Sequence, residues 1–226
     1  MRKHALGALH PSTARIYNNI GCVHVEFNEL REARRAFEAA LDIQRNALCQ
    51  EPESGPIMFG AATTLCNLGY LYRIREMHEK GALVLREALQ LQEKVLGPQH
   101  PTVLSTLDSL AEACAASNHG SHAIKFYNEI LERFHRHTTP SSSKFGSSKR
   151  RKRAEAVLLY KMSRVYGQQK VRQQQFEMLK LALVAIKSVA HADESSPERE
   201  QRELLEKRIQ SDMRMVQDDL ENMEWV

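Results

Sequence analysis

Residues 62–101 read ATTLCNLGYLYRIREMHEKGALVLREALQLQEKVLGPQHP, and this stretch decides the fold. Two apolar segments are separated by a short polar turn, and in each segment the apolar residues recur three or four positions apart. Residues with that spacing lie on one face of an α-helix. The stretch therefore predicts a helical hairpin. Its apolar positions are Leu65, Leu68, Tyr72, Ile74, Leu85, Ala88, Leu89 and Val95.

Small residues stand at matched places in the two predicted helices, Gly69 in the first and Gly81 in the second. A glycine inside a helix destabilises it by about 1 kcal/mol relative to alanine, so two of them indicate a packing requirement. We expect the two helices to cross closely at these glycines. The second helix ends at Gly97, which suits a helix C-terminus, and Pro98 cannot continue it.

The same frame of bulky, bulky, small, large, small, bulky and small residues occurs four times. An internal repeat of a helical hairpin predicts a stacked array, in which each unit buries its apolar face against its neighbours. The four copies are Tyr17, Ile20, Gly21, His24, Ala33, Phe37 and Ala40; Leu65, Leu68, Gly69, Tyr72, Gly81, Leu85 and Ala88; Leu107, Leu110, Ala111, Cys114, Ala123, Tyr127 and Ile130; and Leu159, Met162, Ser163, Tyr166, Gln175, Leu179 and Ala182.

This spacing resembles the tetratricopeptide repeat, and the first three copies are similar to the longer repeat of kinesin light chains. The likeness is carried by residues 10–21 and 93–101, and it covers residues 1–135. The fourth copy keeps only the frame, with Gln175 where a small residue is usual. The resemblance implies an all-α, right-handed superhelical array of antiparallel helix pairs with a C-terminal capping helix. It also implies a scaffold that binds other proteins, which we expect in the cytoplasm.

We expect the chain to be divided as follows. Lys3–Pro11 parallels Glu93–Pro101, so residues 1–11 are expected to be the tail of an incomplete preceding repeat. Residues 138–150 are rich in serine and threonine and end in basic residues, which predicts a flexible linker. The repeats are expected at 12–48, 57–97, 101–136 and 151–191, and the capping helix at 196–226.

Composition excludes several classes of protein. With 42% hydrophobic residues among 226, the chain can bury a sizeable core, and it lacks the β-branched alternation of strands. A net charge of +4 is too small to argue for nucleic acid. No apolar run is long enough to span a membrane. Four cysteines without paired spacing predict reduced thiols in a cytosolic or nuclear compartment.

The resemblance implies that peptides bind on the concave surface formed by the first helix of each pair. The candidate peptide-binding residues are Arg15, Asn18, Asn19, Cys22, Asn67, Tyr70, Arg73, Asp108, Glu112, Tyr160 and Arg164. Asparagine carries both donor and acceptor, so Asn19 and Asn67 are able to grip a peptide backbone. The alternative is that they bond only the neighbouring helix.

The expected groove carries charges of both signs, with Asp108 and Glu112 as a negative centre between basic residues. An acidic-aromatic peptide is one expected ligand, with Tyr70 as its packing surface. The basic run Lys149–Arg153 is interpreted as a solvated helix start beside the linker, although the macrodipole disfavours cations there, so that a run held outside the helix and available to a partner is an alternative. A nuclear import signal or a phosphate-binding patch is the functional alternative for that run.

No catalytic, metal or cofactor site is expected. The sequence has no glycine-rich phosphate loop, no HExxH motif and no CxxC pair. His119, His122, His135 and His137 lack accompanying ligands at metal-binding spacing, which favours a chance cluster. The leading hypothesis is a monomeric protein-interaction scaffold. The alternative is an oligomerising element that uses the C-terminal helix or the exposed N-terminal face.

Overall fold

A computed structural model describes residues 10–136, 148–189 and 195–223 of the chain. Within those ranges the secondary structure is helical and no β-strand occurs. The helices are α1 (Pro11–Glu26), α2 (Leu30–Gln50), α3 (Gly55–Ile74), α4 (His78–Leu96), α5 (Pro101–Ala116), α6 (Gly120–Arg136), α7 (Ser148–Gln168), α8 (Arg172–Lys187) and α9 (Ser196–Met223).

The chain divides into two compact units, Met1–His119 and Gly120–Val226. In the first unit α1 packs against α2, α2 against α3, α3 against α4 and α4 against α5. Its core joins the first two hairpins, where Phe37 of α2 packs with Leu65 and Leu68 of α3. In the second unit α6, α7, α8 and α9 pack in the same consecutive way. The prediction of stacked helix pairs followed by a final helix is confirmed.

A left-handed residue marks the turn after the first helix of every copy. Asn28, Glu76, Asn118 and Lys170 have φ between 56° and 60°, and they occupy the same position of the repeat frame. Asparagine tolerates this conformation better than other residues that carry a Cβ, whereas glutamate and lysine are strained by it. The fourth copy therefore shares the turn geometry of the other three.

The glycines of the first two hairpins lie where the sequence predicted close crossings. A Cβ built on Gly21 would be 2.5 Å from Phe37 Cε1, and one on Gly69 would be 2.7 Å from Leu85 Cγ. Neither distance leaves room for a methyl group, since van der Waals contact between carbons needs about 3.5 Å or more. On the second helices, Ala33 and Gly81 are buried as well.

The fourth hairpin solves the crossing differently. Gln175 replaces the usual small residue of the second helix, and its side-chain amide lies over Gly167 of α7. A Cβ on Gly167 would be 2.8 Å from Gln175 Nε2, so glycine makes the space that the glutamine fills. Arg172 Nη1 donates to Gln175 Oε1 at 2.9 Å. In this hairpin the small residue that makes room for the crossing is therefore on the first helix and not on the second.

Histidine and proline together begin two of the helices. His10 Nδ1 accepts from the Ser12 backbone N–H at 3.1 Å, and His100 Nδ1 accepts from the Thr102 N–H at 3.2 Å. Each histidine is the N-cap residue and the following proline opens the helix. Proline is suited to the first turn, where no intrahelical N–H bond is lost. The repeated His-Pro pairs are capping elements.

The segment before α7 corrects the expected end of the linker and agrees with a helix start at the basic run. The helix begins at Ser148, so the linker expected at 138–150 extends too far at its end, and residues 138–147 lie outside the described part of the chain. The basic run Lys149–Arg153 is within the helix, although the macrodipole disfavours cations there. Arg153 Nη1 is 3.3 Å from Glu198 Oε1 of α9, and this ion pair compensates part of that cost.

The final helix buries a narrow stripe. Ile209 is fully buried and Val216 is 3% exposed, as expected for a capping helix with one apolar face. Arg202 also points inward, and its guanidinium pairs with Glu206 at 3.4 Å. Leu204 and Met215 are 67% and 59% exposed, so the buried stripe is narrower than the distribution of apolar residues suggests. Residues 1–9, 190–194 and 224–226 of the expected segments lie outside the described chain.

Candidate functional site

An open cavity of about 420 Å³ lies in the first unit between α3, α4 and α5. Helix α3 contributes Asn67, Tyr70 and Arg73 to its walls, and α5 contributes Glu112. The floor comes from α4, the second helix of the hairpin, through Gln92. Four of the residues expected to bind a peptide therefore share one cavity.

Tyr70 and Arg73 form the exposed rim of this cavity. The Arg73 guanidinium carbon is 4.9 Å from the centroid of the Tyr70 ring, and the ring is 49% exposed. A guanidinium over an aromatic face is held by the ring quadrupole, which limits the freedom of both side chains. The rim thus presents a cation and an aromatic surface in a fixed arrangement.

Asn67 is bonded to the neighbouring first helix. Its Nδ2 donates to Asn18 Oδ1 at 2.9 Å and contacts Cys22 Sγ at 3.5 Å, both on α1. These are the neighbouring-helix bonds that the sequence left open as an alternative. Asn67 both lines the cavity and joins the first two repeats, so its contacts with α1 fix the orientation of its side-chain amide.

One position of the repeat frame supplies a side-chain contact between a first helix and the element that packs beside it. We call each of these contacts a seam. The position is that of the residue after the first bulky residue of each copy, and sequence reasoning assigned it to the binding surface. The contacts are Asn18 to Asn67 at 2.9 Å, Cys66 Sγ to Thr106 Oγ1 at 3.5 Å, and Tyr160 Oη to Asp212 Oδ2 at 2.8 Å. The position connects a first helix to the first helix of the next repeat, or to α9.

Tyr160 illustrates the chemistry of this seam. Burial, followed by the hydrogen bond that its hydroxyl donates to Asp212, raises the pKa of Tyr160 to about 12. The neutral phenol is favoured because ionisation would remove the donated proton and place a second negative charge beside the carboxylate. The hydroxyl of Tyr160 is thus engaged in joining α7 to α9.

The other candidate residues are spread over the chain. Arg15 and Asn19 are exposed on α1, and Asp108 is half-buried on α5; none of them lines the cavity. Arg164 is exposed and lines a separate cavity of about 580 Å³ in the second unit, formed by α7, α8 and α9. There Arg172 Nη2 is 3.1 Å from Asp219 Oδ2.

Sequence reasoning missed Gln92. Its side chain is 2% exposed, and its Nε2 donates to Cys66 Sγ at 3.5 Å. Its Oε1 has no hydrogen-bond partner among the described residues. A sequence signal was present, since Gln44 holds the same frame position in the first copy; Gln44 is also buried, and its Oε1 likewise has no partner within the described ranges. A glutamine that recurs on the apolar face of a second helix is unusual.

The described residues contain no group of three histidine, cysteine or carboxylate side chains that could hold a metal ion. Over the same ranges, no helix is long and apolar enough to cross a membrane. The four cysteines are free. Burial raises the pKa of Cys22, Cys66 and Cys114, which keeps these thiols protonated and poorly nucleophilic.

A family comparison agrees with the repeating turns, crossings and seams. The tetratricopeptide repeat model matches residues 1–46 and 60–135, more than half of the chain. The chain belongs to the tetratricopeptide repeat family. Proteins of this family are typically non-enzymatic scaffolds for interactions between proteins.

Solved structures share the fold of this tetratricopeptide repeat protein. The crystal structure of nearly identical TPR-like repeats from a Podosopora anserina protein described as a kinesin light chain has a TM-score of 0.64 at 18% identity. It covers 94% of this chain and 93% of that one. BtubC (BKLC) from P. vanneervenii has a TM-score of 0.58 at 13% identity, covering 95% and 79%.

A curated relative is the clustered mitochondria protein homolog of Candida albicans. It is 26% identical over 126 residues, which is 56% of this chain. The aligned region spans only 9% of the length of that relative.

Proposed function

We propose that this tetratricopeptide repeat protein is a non-enzymatic adaptor that binds a peptide segment of a partner across α3 and α5, in the manner of a kinesin light chain. The observation that carries the proposal is the cavity, in which Asn67, Tyr70, Arg73 and Glu112 converge from two successive first helices. An aromatic surface, a cation and amide groups are the groups that peptide recognition uses most.

A peptide-display selection against the purified chain tests this proposal. Arg73→Glu should weaken binding of the selected peptides at least tenfold, because it reverses the charge on the rim and removes the stacking on Tyr70. Arg75→Glu is the matched control, since Arg75 is exposed on the same chain segment and does not line the cavity. Equal losses in the two variants would place the peptide elsewhere.

A second pair of variants separates peptide binding by Asn67 from its role at the seam. Asn18→Ala and Asn67→Ala each remove the same 2.9 Å hydrogen bond, so both should cost about 1 kcal/mol of stability. Only Asn67 lines the cavity. Peptide affinity should therefore fall in Asn67→Ala and in the Asn19→Ala, Asn67→Ala double variant but persist in Asn18→Ala. Unchanged affinity in all three would confine Asn67 to a structural role.

A second candidate function is self-association through α1. Ile16, Ile20 and Val23 follow one face of this helix, and Phe27 at its C-cap continues the alternating spacing of four and three residues that coiled coils use; the four side chains are 38%, 41%, 49% and 73% exposed. The second copy has Thr64, Leu68 and Leu71 at the frame positions of Ile16, Ile20 and Val23. These three side chains are buried. We propose a second copy of this chain as the occupant of the exposed stripe.

Light scattering across concentration tests the second candidate. A dimer that becomes a monomer in Val23→Glu would support self-association through α1. Leu83→Glu is the control, because Leu83 is 64% exposed on α4 and lies outside the stripe. A constant monomer mass in the unsubstituted chain would exclude it and leave the adaptor proposal unaffected.

We propose the cytoplasm as the compartment of this adaptor. Four free cysteines, three of which have a pKa raised by burial, suit a reducing environment. Import into the nucleus through Lys149–Arg153 remains the alternative proposal, and the run is helical in the structure. Localisation of the tagged chain, with and without neutral substitutions in that run, distinguishes the two.

A further inference from the structure

We propose that the cavity of the second unit is a second peptide site, which binds a partner segment that carries one acidic and one basic side chain close together. The acidic side chain pairs with Arg164 of α7, and the basic side chain pairs with Asp218 of α9. The inference goes beyond the adaptor proposal, because it concerns a different cavity in the other compact unit.

This second cavity repeats the place in the frame that the first cavity occupies. It has a volume of about 580 Å³, and α7, α8 and α9 form its walls. Arg164 and Gln175 line it, and they hold the frame positions of Tyr70 and Gly81, which line the cavity of the first unit. Residues at equal frame positions have equal orientations on their helices. The fourth hairpin therefore forms the same kind of groove with different side chains.

Helix α9 stands where the first helix of a further repeat would stand. Asp212 contacts the frame position that in α3 contacts α5, and this seam aligns α9 with α5. In the alignment Ile209 matches Val103, and both are fully buried. Asp218 then matches Glu112, and each of these carboxylates lines its own cavity. The capping helix thus contributes a binding wall to the cavity.

Five charged side chains line the second cavity, and three of them have partners within the protein. Asp212 accepts the hydrogen bond of its seam at 2.8 Å, and Arg172 Nη2 is 3.1 Å from Asp219 Oδ2. Arg164 and Asp218 are exposed, and within the ranges that the structure describes neither of them forms an ion pair. One cation on α7 and one carboxylate on α9 are therefore open to a ligand.

These two open charges decide the class of ligand. A neutral segment would cover both charges without pairing them, and a segment with charges of one sign would leave one group unpaired beside a like charge. The planar guanidinium of Arg164 suits a carboxylate, and Asp218 accepts from an ammonium or a guanidinium. Met215, which is 59% exposed, and Val216 supply an apolar surface for the methylene groups of such side chains.

Peptides that differ only in their charges test the proposal. The probes are acetylated and amidated peptides of alternating alanine and charged residues, in which the charged residues are glutamate and lysine in turn, glutamate alone, or lysine alone. NMR follows the Gly167 amide and the Met215 methyl group, which both line the cavity. We expect saturable shifts with the mixed peptide and affinity about fivefold weaker with the other two, the effect of one partly exposed ion pair. No saturable shift, or equal affinity for the three peptides, would overturn the inference.

Exchanging the two charges gives a sharper test. Arg164→Asp should shift the preference to the lysine peptide, and Asp218→Arg should shift it to the glutamate peptide, because each variant leaves the open groups with one sign of charge. The double variant should restore the preference for the mixed peptide. Arg164→Gln and Asp218→Asn should each reduce that preference without reversing it. A preference that survives in the single variants, or that the double variant does not restore, would refute the proposed pairing.

Control variants locate the bound peptide. Arg214→Asp and Glu200→Arg make the same changes of charge at exposed positions of α9 that do not line the cavity, so both should keep the preference for the mixed peptide. Arg73→Glu alters only the first cavity and should leave binding of the mixed peptide unchanged. Loss of that binding in Arg73→Glu would overturn the second site and leave the adaptor proposal intact. Loss of display-selected peptides in Arg73→Glu, by contrast, bears only on the first cavity.

Discussion

The second and fourth hairpins have the same frame but resolve their helix crossing in different ways. In the α3–α4 hairpin, glycines occur on both helices, and a Cβ on Gly81 would lie 3.6 Å from the Gly69 carbonyl oxygen. In the α7–α8 hairpin, Gln175 takes the place of Gly81, and Gly167 stands at the frame position of Arg73. A crossing thus needs a fixed total volume, and either helix can supply the small residue.

Placing the glutamine of the fourth hairpin at the matching position of the second hairpin should have the largest effect on stability. Gly81→Gln places a long side chain against Tyr72 and the α3 backbone without a glycine to receive it. Overpacking of this kind outweighs the gain in helix propensity, so we expect a net loss of about 2 kcal/mol. Urea unfolding followed by circular dichroism measures it.

The compensating glycine should recover part of that loss. Combining Gly81→Gln with Arg73→Gly reproduces the arrangement of Gln175 and Gly167, and we expect a favourable coupling of about 1 kcal/mol in a double-mutant cycle. Arg73→Gly alone should cost about 1 kcal/mol, because glycine weakens a helix. Strict additivity would show that the volume exchange between helices does not explain the fourth hairpin.

The Asn18–Asn67 contact of the first unit and the Tyr160–Asp212 contact of the second differ in whether they contain ionisable groups. Asn18 and Asn67 have no ionisable group, whereas Tyr160 and Asp212 do. Tyr160→Phe should cost about 1 kcal/mol at neutral pH through the lost hydrogen bond. The pKa of Tyr160 is raised from 10.0 to about 12 in the folded protein, so its stabilising contribution is complete below pH 10 and declines as pH rises toward 12.

Unfolding at pH 8 and pH 11 measures this contrast. The difference in stability between the unsubstituted chain and Tyr160→Phe should shrink at the higher pH, and Asn18→Ala provides the seam control whose difference stays constant. A difference that is the same at both pH values would mean that Tyr160 ionises alike in the folded and unfolded chains.

The smallest effects are expected at the turns, which all four hairpins share. Glu76→Gly and Lys170→Gly should each stabilise the protein by about 0.5 kcal/mol, because glycine removes the strain of a positive φ but adds entropy to the unfolded chain. Asn28→Gly and Asn118→Gly should change stability by less, since asparagine already tolerates the conformation. Thermal unfolding of the four single variants ranks them, and a larger gain at an asparagine turn would contradict the strain argument.

The candidate site shows which features of a binding surface a repeat pattern is able to predict. The frame placed Asn67, Tyr70, Arg73 and Glu112 around one cavity, because residues at equal frame positions have equal orientations on successive helices. It could not separate binding from joining, since Cys66 and Asn67 both line the cavity and contact a neighbouring first helix. Gln92 was missed because a polar residue on an apolar stripe has no assigned role until its surroundings are known.

The sequence by itself determined the helix pairs, their crossings at Gly21 and Gly69, and membership of a repeat family, because period and side-chain volume are local properties of the chain. Tertiary structure alone decided that Gly167 accommodates Gln175, that Tyr160 bonds Asp212 of the final helix, and that Gln92 Oε1 is buried without a partner in the part of the chain that the structure describes. These outcomes depend on which side chains from distant segments meet, and hydrogen bonding and volume are satisfied only between the partners that packing brings together.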